Sequence, residues 1–398
     1  MSVAVEPPRE SFRVDMLWND SRYRSTFIQI IALMLVMLAA SWLVTNAVNN
    51  LAALGKTFSF SFLSQPASYD INQRLIEYTS RSTHARAALV GILNTLLLAF
   101  IGIVTATIIG VLVGVMRLSK NWLVARLMTV YVEAMRNVPL LIWILMVAAV
   151  VSDTLPTPRN AEPLLGGALV VTNRGFYIPA PIMEPGSGVV VVVFLASLAG
   201  IFLMRRWARK RQEETGAQFP TFWAGLALFF LPVLIVDFLM GTPVSLEYPE
   251  LRGFNFQGGV YMRDSLVALW IALSLYTSAF IAEIVRSGIL AVSHGQTEAA
   301  YALGLRPNRT MSLVILPQAL RVIIPPMISQ YLNLTKNSSL AIAVGYMDAT
   351  GTLGGITLNQ TGREMECILL LMAFYLTVSL TISSVMNWYN ARVKLVER

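Results

Sequence analysis

Ala88-Leu89-Val90-Gly91-Ile92-Leu93-Asn94-Thr95-Leu96-Leu97-Leu98-Ala99-Phe100-Ile101-Gly102-Ile103-Val104-Thr105-Ala106-Thr107-Ile108-Ile109-Gly110-Val111-Leu112-Val113-Gly114-Val115-Met116 runs for 29 residues without one charged side chain. Wound as an α-helix rising about 1.5 Å per residue, it outreaches the roughly 30 Å hydrocarbon core of a bilayer. A water-facing helix needs a polar face, and none of its faces carries charge, so lipid and other helices must be its solvent. Similar uncharged runs recur near 27–48, 127–151, 187–204, 222–240, 265–284, 319–341 and 367–389. The expectation is an all-α polytopic membrane helix bundle of eight spans, with charges inside or at the edges of the third and seventh.

Composition agrees. Of 398 residues, 56% are apolar and 13% charged, against about 25% charged in an ordinary soluble chain. The uncharged run from Ser25 to Gly55 is too long for a signal-peptide core and lacks a convincing cleavage site, so it reads as a retained first span. The net charge of +8 sits between the apolar runs, where membrane topology puts it, and so does not point to nucleic acid. With the N-terminus inside, the inner connections and their flanking turns carry 20 Lys and Arg and the outer ones 9, which favours both termini in the cytoplasm. The sharpest marker is Arg205, Arg206, Arg209, Lys210 and Arg211, readable as a plain topology anchor or as a contact for anionic lipid or a partner. Segment 153–188, with Pro156, Pro158, Pro163, Pro179, Pro181 and Pro185, is expected to be an external loop and not a helix, open to an external partner.

Several chemistries are excluded. Cys367 is the single cysteine, and His84 and His294 lie far apart, so neither a disulfide nor a metal site is expected. There is no G-x-x-x-x-G-K-[ST] phosphate loop, no H-E-x-x-H and no G-x-S-x-G, and therefore no candidate catalytic residue. The chain reads as a non-enzyme that binds no cofactor itself.

Between the sixth and seventh spans lies Glu298-Ala299-Ala300-Tyr301-Ala302-Leu303-Gly304, followed by Leu316-Pro317. Thr297 is suited to cap a short Ala-rich helix, Gly304 to end it in a left-handed conformation, and Pro307 to begin the next piece. Two short helices at an angle make a stiff lever of the kind that seats in a groove on another protein.

This stretch resembles the EAA loop of type I ABC importer permeases, a pattern of Glu-Ala-Ala, three residues, Gly, nine residues and Ile-x-Leu-Pro, with Val314 here at the Ile position. Further segments resemble the polar amino-acid branch of that family, including Asn94-Thr95, Arg117-Leu118-Ser119, Tyr131-Val132-Glu133, Arg136-Asn137-Val138-Pro139-Leu140-Leu141, the run from Tyr276 to Arg286 and the run from Leu316 to Asp348. The added first span and the added pair at 187–204 and 222–240 are similar to the larger permease subunit of general L-amino-acid ABC importers. The resemblance implies a cytoplasmic segment 1–26, an extra span with a long external loop over 27–87, and a permease domain over 88–398. Its five-helix core would occupy 88–152 and 265–390, with an insertion at about 153–264.

It further implies a bacterial inner-membrane protein that pairs with a second permease subunit and receives an L-amino acid from a periplasmic binding protein. Two separate ATPase subunits, which carry the ATP and magnesium, would dock on Glu298, Ala299, Ala300, Gly304, Leu316 and Pro317. Membrane lipid surrounds the chain, and nucleic acid is no partner.

The seventh span offers a candidate transport path. Asn333, Thr335, Lys336, Asn337, Ser338 and Ser339 interrupt an apolar helix near its middle, and Asn333 shares a helical face with Lys336 and Asn337. An ammonium at membrane depth costs at least about 2.5 kcal/mol, so Lys336 should meet water, a partner or the bundle interior. Either Lys336 attracts a substrate carboxylate while Asn333, Asn337 and Ser338 offer hydrogen bonds, or it snorkels or pairs for packing. Tyr276, Thr277 and Glu283 are further path candidates: Glu283 is spaced to pair with Arg286, as Glu133 is with Arg136. Two rival classes remain, an ion-gradient-driven transporter and a non-transport membrane scaffold; no inverted repeat supports the first.

Overall fold

In the computed structural model the structure describes Trp18, residues 20–53, Gly55 and residues 58–393. The chain forms two compact units, Met1–Leu63 and Ser64–Arg398. The first unit is built on helix α1 (Ser21–Ala53), whose apolar side chains are exposed all round, Leu33 at 62% and Leu38 at 66% among them. Such a helix suits a membrane, because its backbone is satisfied internally and its apolar side chains have nothing to offer water.

The main helices described in the second unit are α2 (His84–Met116), α3 (Trp122–Asn137), α4 (Leu140–Thr154), α5 (Ser187–Thr215), α6 (Thr221–Leu239), α7 (Asp264–Leu290), α8 (His294–Ala302), α9 (Pro307–Val344) and α10 (Glu364–Val393), with a short helical segment over 350–361 between the last two. Among the described residues seven helices are long and apolar enough to cross a membrane, and the pair α3–α4 makes an eighth crossing if taken as one.

That pair departs from the straight third span expected at 127–151: the two helices meet at 107°. Pro139 has no N–H to give, and its ring drives Val138 out of the helical region to φ −109°, ψ 135°. Helix α5 likewise runs past its expected end at 204 and carries the basic run as helix to Thr215. Exposed pairs one turn apart, Arg209 to Glu213 and Lys210 to Glu214, both at 3.7 Å, accompany this extension, and Gly216 at φ 70° ends it.

The core lies where α2, α4, α7 and α9 meet, and α7 is buried along most of its length. Helix α2 carries a small residue on each turn at Gly102, Ala106, Gly110 and Gly114; it approaches α7 at Gly110 and Gly114, while Gly102 faces Leu334 of α9. A Cβ placed on Gly110 would stand 2.6 Å from Ile281 Cβ, and one on Gly114 2.7 Å from the Ala282 carbonyl. Absent side chains let the backbones touch, which is how helices associate where burial from water gives no drive.

Strands, which the sequence reading did not foresee, organise the segments on either side of the α5–α6 hairpin. They are β1 (Val170–Thr172), β2 (Gly175–Ile178), β3 (Ala180–Met183), β4 (Val244–Glu247), β5 (Glu250–Arg252), β6 (Asn255–Gln257) and β7 (Val260–Arg263). All pairings are antiparallel, in the orders β1-β2-β7, β3-β4 and β5-β6, with Phe176 opposite Met262 and Ile182 opposite Ser245. Because β2 pairs with β7 and β3 with β4, the inserted hairpin is closed at its base. The core chain then resumes beside the point where it left: Ser152 of α4 and Asp264 of α7 line one small cavity.

The segment before α2 is folded as well. Ala67, Tyr69, Ile71 and Tyr78 are buried against Ala87 and Val90, and Gln73 ties three elements together: its carbonyl accepts from Asn94, its side chain from the Arg263 N–H.

Candidate functional site

The elbow forms as the sequence spacing requires, with one correction. Helix α8 starts at His294, after Ser293, so Thr297 sits inside it and caps nothing; His294 instead meets Glu298 at 3.0 Å across one turn. At the far end Gly304 adopts φ 76°, a left-handed conformation that costs other residues about 1–2 kcal/mol. The Leu305 N–H reaches back to the Ala300 carbonyl at 3.1 Å and closes the helix. Pro307 opens α9 at its first position.

Helix α9 does not begin at 319, as expected, but runs unbroken from Pro307. Pro317 would clash with the carbonyl four residues back, and a π turn over Met311–Ile315 widens the helix there. The elbow's second arm is therefore the foot of a long helix. Gln318 donates to Gln296 at 3.3 Å and joins the two arms. Ala300 is buried in the angle, while Glu298, Tyr301, Gly304, Leu316 and Pro317 face outward and Leu303 is 82% exposed.

The polar run in α9 splits in two. The α-helix continues to Asn337 and tightens into a 3₁₀ turn over Ser338–Val344, so the break falls after the polar residues and not among them. Asn333 and Lys336 point away from the chain's own core, and among the described residues no acid lies within ion-pair distance of Lys336. Asn337 is half-buried. Ser338 is fully buried and faces inward, donating to the Thr335 carbonyl at 2.8 Å and lying 3.4 Å from the Tyr375 hydroxyl. The expected single face thus holds Asn333 and Lys336 but not Ser338.

Nor do the α7 candidates share one surface. Thr277 is buried, and the Tyr276 ring packs on Phe280 at 5.0 Å. Glu283 is the hub of an arginine cluster: it pairs with Arg117, with Arg286 at 3.3 Å and with Arg136 at 3.9 Å. The Arg136 guanidinium also lies over the Phe280 ring at 5.5 Å. The expected Glu133–Arg136 pair does not form; Glu133 accepts from Asn137 at 3.2 Å, because Arg136 is drawn to the more enclosed carboxylate. Arg117, the least exposed of the three partners at 7%, was recognisable from sequence only as part of a motif.

A second buried cluster escaped the sequence reading. Asp348, between the spans, accepts the Gly351 N–H at 2.8 Å and the Tyr375 hydroxyl at 3.5 Å. Loss of hydration pushes its carboxyl up to about 7. Around it, the Ala349 N–H donates to Thr95 at 3.0 Å, Asn94 donates to the Met347 carbonyl at 2.9 Å, and Tyr346 donates to the Asn94 carbonyl at 3.1 Å. Asn94 and Thr95, named in sequence only among the segments that carry the family resemblance, thus hold the segment following α9 onto α2.

Among the described residues there is no group of His, Cys, Asp or Glu able to hold a metal. The arrangement offers a bundle, a lever and a polar stripe.

The sequence pattern of the family described as "Binding-protein-dependent transport system inner membrane component" matches residues 214–395. The chain is similar over its whole length, 53% identical and covering 100% of both chains, to the glutamate/glutamine/aspartate/asparagine transport system permease protein BztB of Rhodobacter capsulatus. It is 46% identical to the general L-amino acid transport system permease protein AapQ of Rhizobium johnstonii, over 98% of this chain and 96% of that one. To the putative amino-acid ABC transporter permease protein YhdX of Escherichia coli it is 44% identical, over 98% and 99%. The chain belongs to the binding-protein-dependent inner-membrane permeases of ABC importers, in the group whose named members are amino-acid permeases.

Proposed function

We propose that this permease provides the path for L-amino acids and is driven by two separate ATPase subunits that dock on the elbow of residues 298–317. The observation that carries the reading is the elbow itself, a rigid bend whose inner residue is buried and whose tip presents Tyr301 and Leu303 uncovered. Both arms connect closely to membrane helices: α8 follows α7 after the three residues 291–293, and the other arm is the foot of α9 itself. A push on the elbow is therefore delivered to two core helices as a rigid-body movement. ATP and magnesium belong to the ATPase subunits, since this chain has no loop to hold a phosphate.

A second permease subunit completes the path, which Lys336 and Asn333 border with an ammonium for the substrate carboxylate and an amide for hydrogen bonding. Their outward direction from this chain's core supports that division of the site. An external binding protein delivers the amino acid to the strand-bearing end, the termini lie in the cytoplasm with the elbow, and the permease core is 88–152 with 265–390. By reciprocity, loaded binding protein favours the ATPase-closed state.

The test is uptake into sealed vesicles containing the chain with its partner permease and ATPase subunits. ATP-dependent accumulation of L-amino acids in the presence of binding protein is expected. Accumulation driven by an ion gradient, or none under either condition, refutes the reading in favour of a secondary transporter or a scaffold.

A further inference from the structure

The α5–α6 hairpin carries features that the transport reading leaves unused. Its helices pack on each other through Phe194 and Phe229, with ring centroids at 5.5 Å, and through Trp207 and Phe219 at 5.3 Å. Only Val190, Ser197, Ala208 and Gly225 are buried along the pair. At the turn end, opposite the strands, a cavity of about 430 Å³ opens between the helices. Arg205 and Arg209, one helical turn apart, stand on one side of it, with the Gln212 amide beyond them; Thr221 supplies a hydroxyl, and Phe219 and Phe222 form an apolar wall.

The five cations of this run are not equivalent. Arg206 lies over Phe202 at 4.6 Å and Arg211 over Trp207 at 5.3 Å, so both guanidiniums rest on rings of their own helix. Lys210 is turned to Glu214. Arg205 and Arg209 line the cavity, and among the described residues only Arg209 has an acid in reach, the well-exposed Glu213 at 3.7 Å, a contact too weak in water to satisfy it.

The structure assigns this cavity, we infer, as a binding site for the phosphate headgroup of an anionic phospholipid in the leaflet at the elbow end of the bundle. The charge complementarity is plain: two guanidiniums, an amide and a hydroxyl converge on a space with no carboxylate in its lining. A lipid, rather than a free anion, follows from what adjoins the polar half. Phe222 is part of the wall and 69% exposed, and Trp223 at 69% and Leu203 at 62% continue an uncovered apolar surface along the hairpin. A phosphodiester fills the basic side while its acyl chains lie on that surface; inorganic phosphate uses only the first. Basic pockets between helices at the cytoplasmic side of a membrane are suited to such headgroups. The hairpin would then hold the permease to anionic lipid independently of the transport core.

The experiment uses the full chain, purified in mild detergent and titrated with phosphatidylglycerol, with phosphatidylcholine of the same acyl chains, and with inorganic phosphate, retained lipid being counted by native mass spectrometry. The double variant R205A/R209A is compared with R206A/K210A, which removes the same charge from outside the cavity. Phosphatidylglycerol should bind the native chain in preference to phosphatidylcholine, and about tenfold more weakly in R205A/R209A, while R206A/K210A stays within about twofold of native. Equal losses in the two variants, or none in either, overturn the site. Displacement of the lipid by inorganic phosphate at comparable concentration overturns the assignment of a lipid.

Discussion

Replacing Gly110 by alanine tests whether the α2–α7 contact is what holds the core together. The new Cβ would stand 2.6 Å from Ile281 Cβ and 2.8 Å from the Ser278 carbonyl oxygen, whereas non-bonded carbons are comfortable at about 3.5–4.0 Å. Neither neighbour can swing aside, one being the branch point of a core side chain and the other backbone. The helices must therefore part by roughly 1 Å, and a gap of that size forfeits about a quarter to a half of each affected dispersion contact. Overpacking of this kind costs about 1–3 kcal/mol, against at most about 1 kcal/mol gained because alanine is the better helix former. A Cβ on Gly200 of α5, by contrast, meets nothing within 4 Å, so Gly200→Ala keeps the propensity gain without the clash.

Cys367 makes the measurement direct, being fully buried and the single cysteine of the chain. A thiol-reactive fluorogenic maleimide added during a thermal ramp reports its exposure. The midpoint should fall by a few degrees in Gly110→Ala and hold or rise in Gly200→Ala. A Gly110→Ala permease that melts with or above the native one would refute the argument from helix approach.

Gly304→Asp puts a carboxylate and a strained left-handed residue on the elbow where a Cβ has nothing within 4 Å; membrane levels should be unchanged and co-purification of the ATPase subunits lost, whereas preserved ATP-coupled uptake would count against docking there. Lys336→Met removes the exposed ammonium of α9 and should lower uptake about tenfold or more at unchanged assembly and basal ATP hydrolysis; undiminished uptake would take Lys336 off the path. Glu283→Gln leaves Arg117, at 7% exposure, with two other arginines and no anion. A loss of about 1–3 kcal/mol is expected, held below the fully buried range by the 30% exposure of the carboxylate; in the Cys367 assay Glu283→Asp should restore part of it, and equal melting of native and Gln forms would show the cluster to be surface decoration.

The sequence by itself determined that lipid is the solvent, roughly where the crossings lie and where a rigid elbow interrupts them. Each of those is a property of neighbours along the chain: hydropathy accumulates over about twenty consecutive residues, and a helix stop needs only Gly304 and Pro307 near each other. Even the 107° bend at Val138-Pro139 and the small-residue stripe of α2 were local signals, present but unread. Tertiary structure decided the rest. Glu283 acquires Arg117 and Arg136 from residues more than a hundred positions away, Asn94 and Thr95 meet the Asp348 segment some 250 residues later, and Ser338 turns from the face of Lys336 toward Tyr375. A one-dimensional pattern shows that a polar residue lies in an apolar helix; which neighbour satisfies it depends on how the helices approach, and that is set by packing across the whole bundle.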